Sequence, residues 1–435
     1  MSIENSPDAA TRGGPLRPDI ARARARIATM VLLFSNGLIY STWGVSVPQL
    51  KSKFGLSESV LSLAMAAVAV GGIATMGLAG RWISRVGSPA ASAWTATLMA
   101  LLAAPLLLMP SYAAVLPALA LYGAAAAAND IAANAQGAHL EALSQRSLIG
   151  SLHASFSVGG LLGSMLASHW MHTGLPEAAN FYVLSLLVIV AAALSRRFLI
   201  PDAPQPAATA PSPSAVQTRP TPPTFAPAVR RRLQLFGVLA FAALVVEGAF
   251  YDWAAVYMRE VIGAPQSWVG YGYAAFSMGM TSGRLCGDWI RDRLRHEVVM
   301  SGSSALGVFG LLLVITATDG VVAIVGFGLT GLGLASVIPM LFSSAGKLAQ
   351  ASGLGASNGL AITTRMAYIG LLAGPVFIGP IAQGLGLRGA LVMLAAAIAA
   401  TCVGWLWLSR RSGGVPWVVA APSPAPWPGG GARQA

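Results

Sequence analysis

Residues 78–83 read Leu78-Ala79-Gly80-Arg81-Trp82-Ile83, and 207 positions later the chain reads Leu285-Cys286-Gly287-Asp288-Trp289-Ile290. Two further echoes keep nearly that spacing. Gly159-Gly160-Leu161-Leu162-Gly163 returns as Gly370-Leu371-Leu372-Ala373-Gly374, and Gly37, Tyr40 and Trp43 return as Gly248, Tyr251 and Trp253. Three matches in one order at nearly one offset point to an internal duplication of half the chain.

Composition says what is duplicated. Of 435 residues, 55% are hydrophobic and 10% charged, where a soluble chain carries roughly 25% charged residues. So little charge cannot cover a water-facing surface of that size, which excludes a soluble enzyme, and the apolar content excludes disorder. A polytopic membrane protein remains. Windows of about 20 apolar residues, enough to span a bilayer, fall near 27–48, 57–79, 90–109, 113–135, 147–168 and 180–200. They resume near 234–257, 266–286, 299–317, 321–344, 361–384 and 388–409. The expected organisation is a disordered tail over 1–26, a six-helix bundle over 27–200, a linker over 201–229, a second bundle over 230–409 and a disordered tail over 410–435. The linker carries Pro201-Asp202-Ala203-Pro204-Gln205-Pro206 and Thr218-Arg219-Pro220-Thr221-Pro222-Pro223, a composition that stays extended and forms no packed element. The first apolar stretch is too long for a signal-peptide core and reads as a retained span.

The net charge of +12 is a topology signal. With both tails and the linker on one side, 22 lysines and arginines fall there, Arg284 among them, against Lys51, Lys53, Arg259 and Arg388 on the other. The positive-inside rule then puts both termini and the linker in the cytoplasm, and no nucleic-acid partner is needed to explain the basic balance. Few lysines beside many arginines suggest a GC-rich genome and a bacterial inner membrane. Cys286 and Cys402 lie in or beside apolar segments and imply no disulfide framework. His169 and His172 lack a third ligand nearby, so no metal is expected. No phosphate-cradling G-x-x-x-x-G-K-[ST] run and no nucleophile–base arrangement occurs, so neither ATP-driven transport, nor an enzyme, nor a bound cofactor is expected.

A parallel six-plus-six repeat joined by a cytoplasmic linker resembles the major facilitator superfamily along roughly residues 27–409. The resemblance implies an all-α fold of twelve transmembrane helices in two pseudo-symmetric bundles. It also implies a conformational loop after the second span, braced by charge pairing. Gly80, Arg81 and Arg85 match that loop without its acid, while the second copy, Gly287, Asp288 and Arg291, retains one. Asp130-Ile131-Ala132-Ala133-Asn134, with Ser155-Phe156 and Gly159-Gly160 after it, is similar to the fucose-permease-like branch of sugar symporters. That similarity carries a proton-binding role onto Asp130 and a sugar contact onto Asn134. The first span departs from that branch, having Asn36 and no carboxylate. Bacterial permease-like proteins of unassigned substrate share Asn134-Ala135-Gln136-Gly137-Ala138, Glu141, His153, Glu247-Gly248-Ala249 and Asp252-Trp253.

The residues themselves support a site at mid-membrane. A charge in the bilayer core costs about 2.5–3.5 kcal/mol on insertion scales, so the few present mark function. Asp130 and Asn134 share a helix face, with Asn129 and Gln136 close by. An acid that is neutral when its cavity is dry and ionised when it is wet meets the requirement for proton coupling; a protonated aspartate that only locks helix packing is the simpler alternative. Glu247 lies near the midplane, four residues before Tyr251, and either binds substrate or a proton or makes an inter-helix bond. Asp252 sits nearer the outer mouth. Tyr40, Trp43, Tyr251 and Trp253 supply rings on which a sugar could stack, or else serve as interfacial belt residues. Arg365 reads as a snorkelling residue with the alternative of pairing with Asp130 or Glu247, and Pro339 and Pro375 mark kinks.

The expectation is therefore a monomeric secondary transporter working by alternating access, taking up a small polar solute such as a sugar with a proton, sodium not being excluded. Asp130 and Glu247 would carry the coupling. Asn36, Tyr40, Trp43, Asn134, Gln136, Tyr251, Asp252 and Trp253 would contact the solute. Surrounding lipid is the remaining partner. A proton antiporter exporting drugs or metabolites and a transport-inactive sensor are the alternatives.

Overall fold

A computed structural model of the chain describes residues 18–144, 148–202, 227–352 and 356–411. The described residues form helices and turns, with no strand among them. The first half holds α1 (Pro18–Phe54), α2 (Glu58–Val86), α3 (Ser88–Ala103), α4 (Tyr112–Ser144), α5 (Ile149–His172) and α6 (Glu177–Arg196). The second holds α7 (Pro227–Glu260), α8 (Tyr271–Arg293), α9 (His296–Thr316), α10 (Gly320–Leu334), α11 (Val337–Ala351) and α12 (Ala356–Arg411). Two of these boundaries follow from local chemistry. Pro339 has no N–H to give the Ala335 carbonyl, and the tenth crossing breaks there into α10 and α11. Gly386 takes φ 72° within α12, a region glycine enters without penalty, and folds that segment into two crossings. The result is twelve crossings, six in each half.

What binds helices within a half is backbone contact at glycine. A Cβ on Gly37 would collide with the Phe156 carbonyl, and one on Gly159 with that of Phe34, where α1 crosses α5. In the second half Gly248 meets Leu371 and Gly370 meets Phe241, where α7 crosses the first leg of α12. Each glycine and its counterpart lie 211 residues apart. The same holds for Gly71 and Gly123 between α2 and α4, and for Gly279 and Gly331 between α8 and α10, here 208 residues apart. Small residues at such crossings replace the hydrophobic drive that lipid removes. Pro375 adds a detail: lacking an N–H, it leaves the Leu371 carbonyl without a helical donor, and Gly248 packs at that oxygen.

Call the end of the bundle where α6 stops and α7 starts the linker face, and the opposite end the far face. The halves meet along α1 with α7, α2 with α12 and α5 with α8. The hydrogen bonds that join them among the described residues gather toward the far face. Lys51 Nζ, held by Glu58 Oε1 of its own half at 2.8 Å, reaches across to Glu260 Oε2 at 2.6 Å. Gly270 N donates to Ser168 Oγ at 2.7 Å, and Ser59 N donates to Gln383 Oε1 at 3.3 Å. The described conformation is closed there.

Four expectations need amendment. Residues 18–26, assigned to a disordered tail, are helical and extend α1 beyond the bundle; residues 227–229 of the expected linker likewise begin α7, and 410–411 end α12. The rest of the tails and linker lies outside the described residues. Arg284, counted among the linker-face charges, stands inside α8.

Gly159→Val is expected to cost about 1–3 kcal/mol or more, as overpacking does, with a comparable loss for its counterpart Gly370→Val. Gly302→Ala, where an added methyl meets open space, leaves thermal stability unchanged or raises it. Melting of the three variants in detergent checks this.

Candidate functional site

The α4 helix brings Asp130 and Asn134 to one face, and the structure joins them. Asn134 Nδ2 donates to Asp130 Oδ1 at 3.1 Å and to the Asp130 carbonyl at 2.9 Å. His153 of α5 is the titratable neighbour of this carboxyl. Asp130 lies 18 residues from the far end of α4 and His153 19 residues from that of α5, so both sit about 27–29 Å in at roughly 1.5 Å per residue.

The second half answers with an ion pair. Arg284 Nη2 meets Glu247 Oε1 at 3.0 Å, and Tyr251 Oη donates to the same oxygen at 3.2 Å. The carboxylate is buried while a third of the guanidinium side chain remains accessible. Glu247 and Arg284 each lie 13 residues from the far ends of their helices, hence level with one another at about 20 Å. His153 feels both Arg284 and Glu247, and Tyr368 of α12 feels Asp130, Glu247 and Arg284. The two halves therefore bring polar groups within electrostatic reach of one another. Arg284 and Tyr368 were missed as site residues, although Arg284 already fell inside the eighth apolar window.

Toward the far face an aromatic plug follows. Tyr251 packs edge-on to Tyr40 at 6.0 Å and to Phe276 at 5.5 Å, and lies 5.4 Å from Tyr273. Asp252 is buried at this level, near Trp43 and the hydroxyls of Tyr40, Tyr122 and Tyr273. Among the described residues its Oδ1 finds no hydrogen-bond partner, and neither do the Tyr122 and Tyr273 hydroxyls. Asp252 is thus no residue of a solvated mouth; it stands inside the closed seam.

Several expected contacts are committed elsewhere. Asn36 Nδ2 donates to Asn129 Oδ1 at 3.3 Å, and Asn129 Nδ2 donates in turn to the Ser92 carbonyl at 2.9 Å, a buried tie among α1, α3 and α4. Gln136 Nε2 donates to Ser88 Oγ at 2.6 Å and to the Ile200 carbonyl at 2.8 Å. Ser88 also bonds Asp202 through both its N–H and its hydroxyl. Gln136 therefore knots α3, α4 and the end of α6 together, away from Asp130. Trp253 Nε1 donates to the Pro375 carbonyl at 3.0 Å and packs on the opposite side of α7 from Tyr251. Arg365 is exposed, and the guanidinium paired with Glu247 is that of Arg284.

The expected conformational loops are helix. Gly80, Arg81 and Arg85 sit in the last turns of α2, and Gly287 and Arg291 in those of α8. Among the described residues Arg81 and Arg85 have no ion pair. The Asp288 side chain lies outside the described residues. His169 and His172 are exposed on the final turns of α5.

A family model described as Major Facilitator Superfamily matches residues 29–369. An uncharacterized MFS-type transporter of Yersinia pestis is 30% identical over 358 residues, which is 82% of this chain and 89% of that protein. Membrane protein MosC of Rhizobium meliloti is 27% identical over 87% of this chain and 89% of its own length. Among solved structures, a variant of the nucleoside transporter NupG superposes with a TM-score of 0.70 at 11% identity, over 88% of this chain and 99% of its own. A bacterial homologue of the human lysosomal transporter Spinster, inward-facing and unoccupied, gives 0.69 at 12% identity, over 94% and 100%. The chain belongs to the major facilitator superfamily and is a multi-pass membrane transporter, not an enzyme.

Two variants separate site from scaffold. Gln136→Leu is expected to lower stability by about 1–3 kcal/mol, the cost of stranding buried partners, without altering solute affinity. Arg284→Gln also destabilises, since it leaves Glu247 buried without a countercharge. Adding Glu247→Gln to it should restore most of that loss. Melting curves through the double-mutant cycle read the coupling.

Proposed function

We propose that this transporter couples a proton to the movement of a small polar solute, such as a sugar, inward across a bacterial inner membrane. The observation carrying this reading is the contrast between its two acids. Glu247 has a standing countercharge in Arg284. Asp130 has an amide and a histidine, so its partners supply no permanent positive charge. An acid of that kind can load and unload a proton as its surroundings change from dry to wet. Asp130 then carries the coupling, His153 tunes it, and Glu247 holds Arg284 and Tyr251 in place for the solute.

With the termini in the cytoplasm, the far face is external, and the described conformation is closed to the outside. A solute would lie between Asn134 and His153 on one side and Tyr251, Arg284 and Tyr368 on the other, donors and acceptors suited to hydroxyl groups. The proton leaves Asp130 toward the cytoplasm in this state. Reloading follows once the Lys51 and Ser168 contacts part and the space opens outward, the two halves moving as bodies around it. Drug export would use the same acids in reverse, but a cationic drug would meet the fixed charge of Arg284.

Ligand-induced thermal stabilisation at two pH values tests the reading, with neutral sugars set against lipophilic cations, because a ligand that binds the native state raises its melting point. A neutral sugar is expected to stabilise the wild type in a pH-dependent way, and Asp130→Asn to lose the pH dependence. In proteoliposomes the variant should lose accumulation driven by a proton gradient while keeping exchange of solute for solute. Undiminished accumulation by the variant would end the proposal.

A further inference from the structure

At the linker face, α1, α4 and the chain just past α6 line an open pocket of ≈ 420 Å³. Arg22 and Arg24 enter it from the extension of α1, and Arg197 enters from the residue after α6. Leu143, Phe198 and Ile200 supply its apolar wall. Three guanidiniums around one hollow repel each other unless an anion joins them. Among the described residues no chain carboxylate fills that role. Arg22 has Asp19 at 3.9 Å, with an almost fully solvated carboxylate, a pairing of little strength. Arg24 lies 5.9 Å above the Phe198 ring. Among the described residues neither Arg24 nor Arg197 has an ion pair.

The wall behind these arginines is fixed. Gln136 holds the Ile200 carbonyl, and Asp202 is tied to Ser88, so the strand of chain carrying Arg197 and Phe198 is pinned to α3 and α4. Depth is marked by neighbouring indoles: Trp82 and Trp94 are exposed at this end of the bundle, and the Arg196 guanidinium lies 5.7 Å above the Trp94 ring. Such aromatic residues concentrate where headgroups meet hydrocarbon. Below the pocket Leu187, Val190 and Leu194 are exposed on α6 at spacings that place them on one face with Arg197.

We propose that this pocket binds the phosphate headgroup of an anionic phospholipid, with its acyl chains lying along the apolar face of α6. The guanidinium fork matches a phosphate's oxygens, and basic pockets between membrane helices suit anionic headgroups. Free phosphate shares the headgroup chemistry but would leave the wall and the α6 stripe unused. The site stands apart from the solute site and does not depend on what is transported.

The test is thermal unfolding of the full chain in neutral detergent. Phosphatidylglycerol, phosphatidylcholine with the same acyl chains, or inorganic phosphate is added in turn. Phosphatidylglycerol is expected to raise the melting point of wild type beyond the phosphatidylcholine value, and phosphate to do little. The triple variant Arg22→Gln, Arg24→Gln, Arg197→Gln should lose that difference while melting normally in phosphatidylcholine. If the triple variant folds poorly, Arg197→Gln alone should shrink the difference. A control triple of exposed arginines, Arg293→Gln, Arg295→Gln and Arg410→Gln, should keep it. An undiminished response in the pocket variants, an equal loss in the control, or a phosphate effect as large as the lipid's overturns the assignment.

Discussion

Everything in this fold rests on helices touching backbone to backbone. In a bilayer, apolar side chains gain little by leaving lipid for protein, so cohesion within each half must come from close approach. Glycines supply it at α1 with α5, at α2 with α4, and at their counterparts α7 with α12 and α8 with α10. A crossing of that kind has no slack, because a single methyl group would meet a carbonyl oxygen. Each half is thereby stiff, and the polar groups it carries keep their mutual geometry whichever way the protein faces.

The seam between the halves is made differently. Lys51 with Glu58 and Glu260, Gly270 with Ser168, and the Tyr40–Tyr251 contact are side-chain arrangements near one end. Such contacts can be exchanged for water or for others without disturbing a helix. Stiff halves joined by a replaceable seam satisfy the mechanical demand of alternating access, and the polar space bounded by Asp130 and Glu247 lies beside that seam.

Much of this was legible in the sequence. The repeated glycines announced two equivalent halves, and the residue at offset 211 from each glycine of the α1–α5 crossing performs the same packing. The pair Asp130 and Asn134 was readable from a spacing of four. Some misplacements came from ignoring that same periodicity. Gln136 is six residues from Asp130, about 240° round the helix at 3.6 residues per turn, and it faces α3. Trp253 is two from Tyr251 and faces α12. Arg284 was hidden because a charge two residues from the end of an apolar window looks like a flanking residue, and the continuation of α8 to Arg293 shows how far inside the helix it stands. Asp252 was legible as an acid in the seventh span, but its burial was not, since nothing in a linear sequence tells that Tyr122 and Tyr273 would close around it.

The helix α7 shows how these demands coexist on one rod. Gly248 and Trp253 face α12 and hold the half together, while Glu247 and Tyr251 face the shared space. Mechanical and chemical duties fall on different residues of the same helix, so a replacement of one need not remove the other. Lineages that inherit such a rod can trade one cargo for another by small steps. Diversity of specificity within a single architecture is then a consequence of helical geometry, needing no new fold.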